Sequence, residues 1–443
     1  MSAGAAATVA GQSLRRHAER VLRADDAGTY TVPSRLTYPH QWNWDSALCA
    51  LGWAELDARR AWTELETLAG ARDREGMVPH IAFSPRHRDR LPRAGAPRLA
   101  IAYRRYSPGP RWWGRRISAD GRRITALTQP PLAATCMRLL FERHPDEPRA
   151  RRLLGAFGAW HRFLLDVRDP EGLDEPVLIH PWESGRDNSL EWDVPLWRVV
   201  PEVMVLHRPD ERSVDPAERP SDDHYRRYLT LVRRGTRAGW PQSELAWSGP
   251  FRVLDPGFSA ILARACLDLS GLAAALGEPR LAEEQRAAGE RVASALRARV
   301  DGDGLIRPFD LVARAPLAVT GAGSALALLT PGTGDRALEA GCKLVLDGPL
   351  GSRFGVRSLD RQDPHVEPRN YWRGPVWANV TWLAALALAG HGSDGAAPTL
   401  RERMLDAVRD GGMREYFLPD SGGGLGAQDF AWTAALTLRE LAG

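Results

Sequence analysis

The segment HPWESGRDNSLEWD, residues 180–193, concentrates residues that could carry out acid–base chemistry. It holds two tryptophans, Trp182 and Trp192, and four carboxylates: Glu183, Asp187, Glu191 and Asp193. A core helix would not carry so many acids, and a solvated face would not carry so many indoles. Carboxylates beside aromatic walls, one of them kept protonated by a dry setting, are what cleavage of a glycosidic bond needs. The alternative is a surface turn with incidental tryptophans.

Tryptophans beside acids and amides recur along the chain. The sequence has 16 tryptophans, against 8 tyrosines and 10 phenylalanines. The other segments of this kind are YPHQWNWD, RNYWRGPVWANVTW and EYFLPDSGGGLGAQDFAW. Pyranose rings stack their apolar faces on indoles, and their hydroxyl groups bond to polar side chains. The pattern therefore predicts a sugar site.

Composition limits the class of protein. The chain has 443 residues and no Gly/Ser tract, Pro tract or like-charge run that could act as a linker, so we expect one domain over 1–443. The net charge is only +4, with acids and bases interspersed, which argues against a nucleic-acid partner. The hydrophobic share of 44% allows a large core.

Cysteine spacing and the N-terminus suggest a compartment. Four cysteines lie far apart without CxxC spacing, so we expect buried free thiols in a reducing cytoplasm rather than a zinc site. The N-terminus lacks a basic region followed by an apolar one, which argues against a signal peptide. No window approaches 18 apolar residues by inspection, so we expect no membrane span. The sequence predicts a cytoplasmic protein.

Helical periodicity covers most of the chain. Alternating strands are scarce, and VLIHPW and LIRPFDLVA are the best candidates. Helices are expected over roughly 8–23, 46–58, 60–71, 131–144, 148–166, 222–236, 256–275, 279–299, 318–329, 335–346, 374–390, 397–410 and 430–441.

This number of helices, with the chemistry-bearing segments between them, suggests an all-α toroid. In such a fold paired helices form inner and outer rings, and the connecting loops line one mouth. A superhelical repeat solenoid is the alternative, but no fixed repeat of about 30–45 residues is visible.

Residues 84–128 interrupt the helical pattern. The segment is rich in Pro, Gly and Arg, and a long irregular insert in a compact domain is either a functional lid or disordered. Four aromatic residues favour a lid that folds over the mouth: Tyr103, Tyr106, Trp112 and Trp113.

Taken together, the motifs resemble the mannosylglycerate and glucosylglycerate hydrolases of glycoside hydrolase family 63. The resemblance extends from Tyr38 to Trp432. It implies an (α/α)6 barrel and inverting hydrolysis of an α-glycoside without cofactor or metal. The motifs occur in the order YPHQWNWD, TQPPLAAT, HPWESGRDNSLEWD, RPSDDHYRRYL, YWRGPVW and EYFLPDSGGGLGAQDFAWTAAL.

The resemblance assigns two catalytic roles, Asp187 as general acid and Glu415 as general base. The acid must hold its proton near neutral pH, so apolar walls or a neighbouring carboxylate must raise its pKa. Trp182, Trp192 and Glu183 are close enough in sequence to do this. The base must hold a water on the opposite face of the sugar, which requires carboxyl groups roughly 6.5–9.5 Å apart.

The resemblance also implies the substrate contacts. An arginine suits a carboxylate aglycone because it forms a bidentate, charge-assisted clamp. The glyceryl moiety and its carboxylate would contact Arg219, Tyr225, Tyr371 and Gln428. The terminal hexose would contact Tyr38, Trp42, Trp44, Asp45, His80, Gln129, Trp182 and Trp377, and Trp372 is a further substrate-binding candidate.

Some features depart from the family pattern or leave alternatives open. The 84–128 insert has no residue-by-residue match, and Gly257 and Ser259 stand where bulkier or amide residues are expected. The expected partner is a small sugar with a carboxylate aglycone, with no nucleic acid and no membrane. Glucose or mannose, and a possible homo-oligomer, are left open.

Three other functions are compatible with parts of this pattern. The first is an α-glucosidase for a neutral disaccharide such as trehalose, and the second is a non-catalytic sugar-binding protein. The third is a sugar epimerase that would use paired histidines as acid and base. The candidate histidines are His40, His80, His180 and His365.

Overall fold

The computed structural model describes residues 3–84, 106–393 and 395–442. These ranges contain fifteen α-helices. They are α1 (Ala3–Ala24), α2 (Asn43–Ala54), α3 (Ala58–Gly70), α4 (Ala133–Arg143), α5 (Glu147–Arg162), α6 (Asp193–Trp197), α7 (Asp222–Ala238), α8 (Gln242–Ser248), α9 (Pro256–Ala275), α10 (Pro279–Ala298), α11 (Ala322–Leu326), α12 (Asp335–Leu346), α13 (Ala378–Gly390), α14 (Ala396–Gly411) and α15 (Ala431–Leu441).

The strands are short and lie between the helices. A four-stranded antiparallel sheet has the order β3-β4-β5-β6, and the other strands form two-stranded pairs. The strands are β1 (Gln41–Trp42), β2 (Ile81–Ala82), β3 (Val177–Leu178), β4 (Val253–Leu254), β5 (Phe309–Asp310), β6 (Ala315–Pro316), β7 (Gly351–Ser352), β8 (Gly355–Val356), β9 (Arg414–Phe417) and β10 (Gly424–Gln428).

Local signals in the sequence explain where helices begin and end. The side chain of Ser221 caps α7 by accepting a hydrogen bond from the backbone N–H of His224. The same helix ends at Gly239, whose φ of 78° is the left-handed conformation that glycine adopts readily. The side chain of Asp146 caps α5 in the same way as Ser221 caps α7.

Six helices form a closed inner ring. In order around the ring, α2, α4, α9, α11, α13 and α15 contact one another, and α15 returns to α2. The outer helices α1, α3, α5, α10, α12 and α14 pack against them. A Cβ on Gly52 of α2 would lie 2.4 Å from Cα of Ala435 in α15, so the ring closes where only glycine fits. The architecture is the expected (α/α)6 barrel.

The first turns of the inner helices help to build the candidate site. Trp44 and Asp45 lie in the first turn of α2, and Trp377 precedes α13. Trp432 lies in the first turn of α15. All four residues line one cavity at the mouth of the ring.

Helix positions agree closely with the periodicity, whereas strands and short helices do not. The helices α6 and α8 and the hairpin β9–β10 were not anticipated. Within VLIHPW and LIRPFDLVA only the two-residue strands β3 and β5 form. These strands gain stability from partners far away in sequence, which local patterns do not reveal.

The expectation that no segment is long and apolar enough to span a membrane is wrong for one helix. Residues Pro256–Ala275 of α9 are long and apolar enough, by length and composition alone, to cross a membrane. Two-thirds of the apolar window is buried inside the protein, where α9 contacts α4, α5, α10 and α11. Core helices commonly have this composition because they are apolar on every side.

The segment expected to form a lid is described only from residue 106 onward. Residues 85–105, including Tyr103, lie outside the described residues. In the described part Trp113 is fully buried and stacks on Trp240, with ring centroids 5.6 Å apart. Tyr106 lines the mouth cavity. This end of the segment is therefore packed into the body of the protein.

Candidate active site

The cavity at the mouth of the ring brings together every predicted site residue except Gln428. The two predicted catalytic carboxylates, Asp187 and Glu415, both line it. The other predicted residues in its wall are Tyr38, Trp42, Trp44, Asp45, His80, Gln129, Trp182, Arg219, Tyr225, Tyr371, Trp372 and Trp377.

Gln428 lies outside this wall because of its position in the hairpin. It ends β10, pairs with Arg414 and is exposed to solvent. Successive side chains of a strand point to opposite faces, and Glu415, next to Arg414, faces the cavity. The structure therefore does not bring Gln428 to the other predicted aglycone residues.

Asp187 differs from the other three carboxylates of the segment 180–193. Those three are ion-paired: Glu183 with Arg168, Glu191 with Arg186, and Asp193 with Arg373. Asp187 forms no ion pair with any residue that the structure describes, and it lines the cavity. One carboxylate of the four is thus free to act on a ligand.

The environment of Asp187 favours its protonated form. Burial raises the pKa of Asp187 to about 7, Arg219 opposes this shift, and the charges of Glu415 and Asp210 add to it. The expected rise in the pKa of Asp187 is therefore confirmed, but the groups that cause it are partly different from those expected. The indole of Trp192 donates to the carbonyl of Arg186 and is not part of the cavity wall.

The sequence neighbour Glu183 is also turned away from the cavity. Its carboxylate accepts hydrogen bonds from the backbone N–H groups of Ile179 and Thr128, at 2.8 and 3.2 Å. Together with the ion pair to Arg168, these bonds fix the loop rather than perturb Asp187. Of the three residues expected to perturb the acid, only Trp182 lines the cavity.

Glu415 is surrounded by hydrogen-bond donors. Its Oε1 accepts from the hydroxyl of Tyr38 at 2.8 Å and lies 3.5 Å from Nη1 of Arg219. Its Oε2 accepts from the backbone N–H of Ala427 at 2.9 Å. Every one of these partners donates, and an ionised carboxylate only accepts. The site thus presents a fixed hydrogen-bond acceptor.

The Gly-rich strand β10 makes this arrangement possible. Gly426 has a φ of 68°, and a Cβ there would lie 2.6 Å from Oε2 of Glu415. Only glycine combines this conformation with so close an approach. The backbone of Ala427 can consequently reach the carboxylate.

Arg219 is buried between two tyrosines at one side of the cavity. Its guanidinium carbon lies 4.7 Å from the ring centre of Tyr371 and 5.4 Å from that of Tyr38. It also donates to the hydroxyl of Tyr38. Its buried Nε makes no hydrogen bond to a described residue and lies 3.8 Å from Asp210. This guanidinium can still bind an anionic ligand group.

Much of the remaining wall is aromatic, with a few polar atoms. Trp372 and Trp377 stack in parallel with ring centroids 3.7 Å apart. Burial raises the pKa of Asp45 well above its ordinary value, and Glu415 and Asp187 add to the shift. Besides Nε of Arg219, the buried polar atoms of the wall without a hydrogen-bond partner among the described residues are Gln129 Oε1, Trp372 Nε1 and Trp432 Nε1. Such walls suit a sugar, whose faces stack and whose hydroxyls bond.

The histidines do not form an acid–base pair in the cavity. Burial lowers the pKa of His40 and of His180 to about 3, and that of His80 well below its ordinary value. Only His80 lines the cavity, and its Nδ1 is bonded to Thr125. His365 is largely exposed. This arrangement does not support the epimerase alternative.

Sequence reasoning missed some residues of the wall, notably Asp210 and Gly185. Asp210 lies in the short loop RPDER, which contains no aromatic residue or motif that could have revealed it. Gly185 has a φ of 70°, and a Cβ there would lie 2.5 Å from Trp44. Its position in ESG was a visible signal for a tight turn. In the described ranges no group of three His, Cys, Asp or Glu residues could hold a metal ion.

Known glycoside hydrolases are similar to this protein over nearly the whole chain. The family model for the mannosylglycerate hydrolase MGH1-like glycoside hydrolase domain matches residues 38–433. A mannosylglycerate hydrolase of Thermus thermophilus is 39% identical over 430 residues, which cover 95% of this chain and 99% of that protein. Glucosylglycerate hydrolase of Mycolicibacterium hassiacum is 33% identical and covers 96% of this chain and 97% of that protein.

A crystal structure extends the comparison to three dimensions. A GH63 mannosylglycerate hydrolase of Thermus thermophilus, in complex with Tris and D-glycerate, superposes with a TM-score of 0.85 at 38% identity. The match covers 96% of this chain and 99% of that one. The same enzyme has also been crystallised in complex with glucose. The match in sequence and in fold places this chain in the mannosylglycerate hydrolase MGH1-like family of GH63 glycoside hydrolases.

Proposed function

We propose that this glycoside hydrolase cleaves glucosylglycerate or mannosylglycerate to hexose and glycerate, with inversion at the anomeric carbon. The observation that carries the proposal is the contrast between the two carboxylates that share the cavity. Burial raises the pKa of Asp187 to about 7, whereas Glu415 accepts hydrogen bonds from fixed donors. Separate environments for two carboxyl groups are what acid and base roles require.

In the proposed reaction Asp187 donates its proton to the glycosidic oxygen while the bond from that oxygen to the anomeric carbon breaks. A water molecule attacks the anomeric carbon from the opposite face, and Glu415 accepts a proton from it. The products are glycerate and the hexose of inverted configuration. Asp187 ends ionised and Glu415 protonated, and exchange with solvent restores both.

The surrounding residues orient the reactants. The hydroxyl of Tyr38 and the guanidinium of Arg219 hold Oε1 of Glu415 in place. Trp44 and Trp182 would stack on the hexose and exclude water. Trp377 is itself stacked between Trp372 and Tyr416, so it would close the apolar wall rather than stack on the sugar. Hydrogen-bonding groups for its hydroxyls are available at Asp45, Gln129 and Trp372.

For the aglycone, the proposal places the glycerate carboxylate against Arg219. Tyr371 lies against the guanidinium of Arg219, and Tyr225 lines the same cavity. A related enzyme binds D-glycerate in its crystal structure, and two relatives are named for glycerate glycosides. A neutral aglycone would gain little from a buried guanidinium, so the neutral-disaccharide alternative is less well supported.

The test is hydrolysis by the purified protein of glucosylglycerate, mannosylglycerate, trehalose and maltose, with proton NMR to identify the anomer released first. We expect the β-hexose from at least one glycerate glycoside. Initial release of the α-hexose would contradict inversion, and activity on trehalose or maltose alone would contradict the glycerate subsite. Binding without turnover of any α-glycoside would favour a sugar-binding protein instead.

A further inference from the structure

Arg186, the residue before Asp187, is completely buried between two carboxylates. Its Nε lies 3.2 Å from Oε2 of Glu191, and its Nη2 lies 2.9 Å from Oδ1 of Asp255. Its guanidinium carbon also lies 5.2 Å from the ring centre of Trp192. A charge buried in this way is stable only when its partners and hydrogen bonds are well placed. The buried Nη1 of Arg186 makes no hydrogen bond to a described residue, so the position of this side chain depends on the two ion pairs.

Both carboxylates connect Arg186 to the inner ring of helices. Asp255 caps α9 by accepting a hydrogen bond from the backbone N–H of the helix's second residue at 3.0 Å. Glu191 accepts from the backbone N–H of Gly323, in the first turn of α11, at 3.2 Å. Through Arg186, the loop that carries Asp187 is joined to the beginnings of two neighbouring inner helices.

Three glycines leave space for this cluster, two of them beside Arg186 and one beside Glu191. A Cβ on Gly323 would lie 2.7 Å from Nη2 of Arg186, and one on Gly257 would lie 3.3 Å from its Nη1. A Cβ on Gly321 would lie 2.9 Å from Cδ of Glu191. The small residue at position 257, where a bulkier one was expected, thus has a physical reason: a Cβ there would crowd Cβ of Leu326, at 3.0 Å, as well as the guanidinium of Arg186.

The backbone on either side of Asp187 is held as well. The carbonyl of Arg186 accepts a hydrogen bond from the indole N–H of Trp192 at 2.7 Å, and the carbonyl of Asp187 accepts one from the hydroxyl of Tyr228 at 2.9 Å. With both peptide groups fixed, the direction of the Asp187 side chain follows from the position of the loop. Moving the anchor of the loop would therefore move the carboxyl group.

We propose that Arg186 is a positioning residue for acid catalysis, and that its ion pairs with Glu191 and Asp255 set the place from which Asp187 protonates the leaving group. The proposal rests on Asp187 being the general acid of the proposed function. Arg186 is buried beneath the loop and is not part of the cavity wall. Its effect should therefore appear in proton donation and not in sugar binding.

The test compares two substrates in the variant Arg186→Lys. Lysine keeps the charge but presents one ammonium instead of a planar fork, so it cannot bridge both carboxylates in the same way. Small displacements of a catalytic group can cost about 100-fold. We expect kcat on the preferred glycerate glycoside to fall about 10- to 100-fold, with KM within about threefold of wild type.

The second substrate is the α-hexosyl fluoride of the same sugar, whose fluoride leaves without needing a proton from the acid. On this substrate we expect Arg186→Lys to retain activity within about threefold of wild type, because the base and the sugar subsite are intact. Equal losses on both substrates, or no loss on either, would overturn the proposal. If the lysine variant does not fold, Glu191→Gln replaces it in the test. This variant weakens the same ion pair without removing the arginine, and we expect the same selective loss of activity on the glycerate glycoside.

Two reference variants separate the possible failures. Asp187→Asn should lose the glycerate glycoside but retain the fluoride, and if it is unselective the acid assignment itself fails. Arg138→Lys disturbs an ion pair with the buried Asp268, between α4 and α9, in which no residue of 180–193 takes part, and should leave the ratio of the two activities unchanged. If Asp187→Asn loses activity only on the glycerate glycoside whereas Arg186→Lys loses it equally on both substrates, the proposed function stands and only the role of Arg186 is contradicted.

Discussion

The hydroxyl of Tyr38 lies 2.8 Å from Oε1 of Glu415, although the two residues are 377 positions apart in the chain. Tyr38 donates to the carboxylate and itself accepts a hydrogen bond from Arg219. Tyr38→Phe should therefore lower kcat about tenfold or more, because a hydrogen bond to a charged group contributes about 1.5–3 kcal/mol. Steady-state kinetics on the preferred glycoside would measure the loss, and an unchanged kcat would show that Glu415 needs no such support.

Asp187→Asn should reduce turnover by several orders of magnitude while ligand binding is nearly unchanged, because the amide is similar in shape but has no acidic proton to donate. The measurements are kcat and the dissociation constant of the product hexose. Asp193→Asn is the matched control, since its carboxylate pairs with Arg373 and does not line the cavity. Similar losses of kcat in the two variants would contradict a special role for Asp187.

The pH profile should show an alkaline limb that belongs to Asp187. Its pKa is raised to about 7 in the ligand-free protein, and an acid acts only while protonated, so kcat/KM should fall as the pH rises through that value. Because the charge of Asp210 contributes to the shift, Asp210→Asn should move this limb to lower pH. A limb that stays in place in that variant would exclude the contribution of Asp210.

Arg219→Ala should raise KM for a glycerate glycoside much more than for a neutral glycoside that the enzyme also cleaves. Loss of a guanidinium removes a charge-assisted bond that only the carboxylate aglycone can make. Because Arg219 also contacts Glu415, kcat should fall for both substrates, and the informative quantity is the ratio of the two KM changes. Equal changes in KM would argue against the carboxylate clamp.

The segment 84–128 is predicted to act as a lid, and residues 85–105 lie outside the described residues. Tyr106 and Pro108, in the described part of the segment, line the cavity, so a bound ligand should contact this part. Limited proteolysis should then cleave the segment more slowly in the presence of glycerate and the hexose. Identical cleavage with and without these ligands would contradict the predicted lid.

Much of the fold could be predicted because a helix is formed by residues that are close together in the sequence. The helix expected over 335–346 forms as Asp335–Leu346, and that over 256–275 as Pro256–Ala275. The hairpin that carries Glu415 could not be read in the same way, because β9 and β10 gain their stability from pairing with each other. Gln428 was assigned to the aglycone from its motif, whereas its strand register exposes it.

The sequence by itself determined the residue types of the site, the order of its motifs and the helical class, since each depends on neighbours a few positions away. Only the tertiary structure decided which of four neighbouring carboxylates is left without an ion pair in the described chain, and which charges raise the pKa of Asp187. Arginines from distant segments neutralise Glu183 and Asp193. Charge interactions and burial act through space, so their outcome depends on distances that the order of residues does not contain.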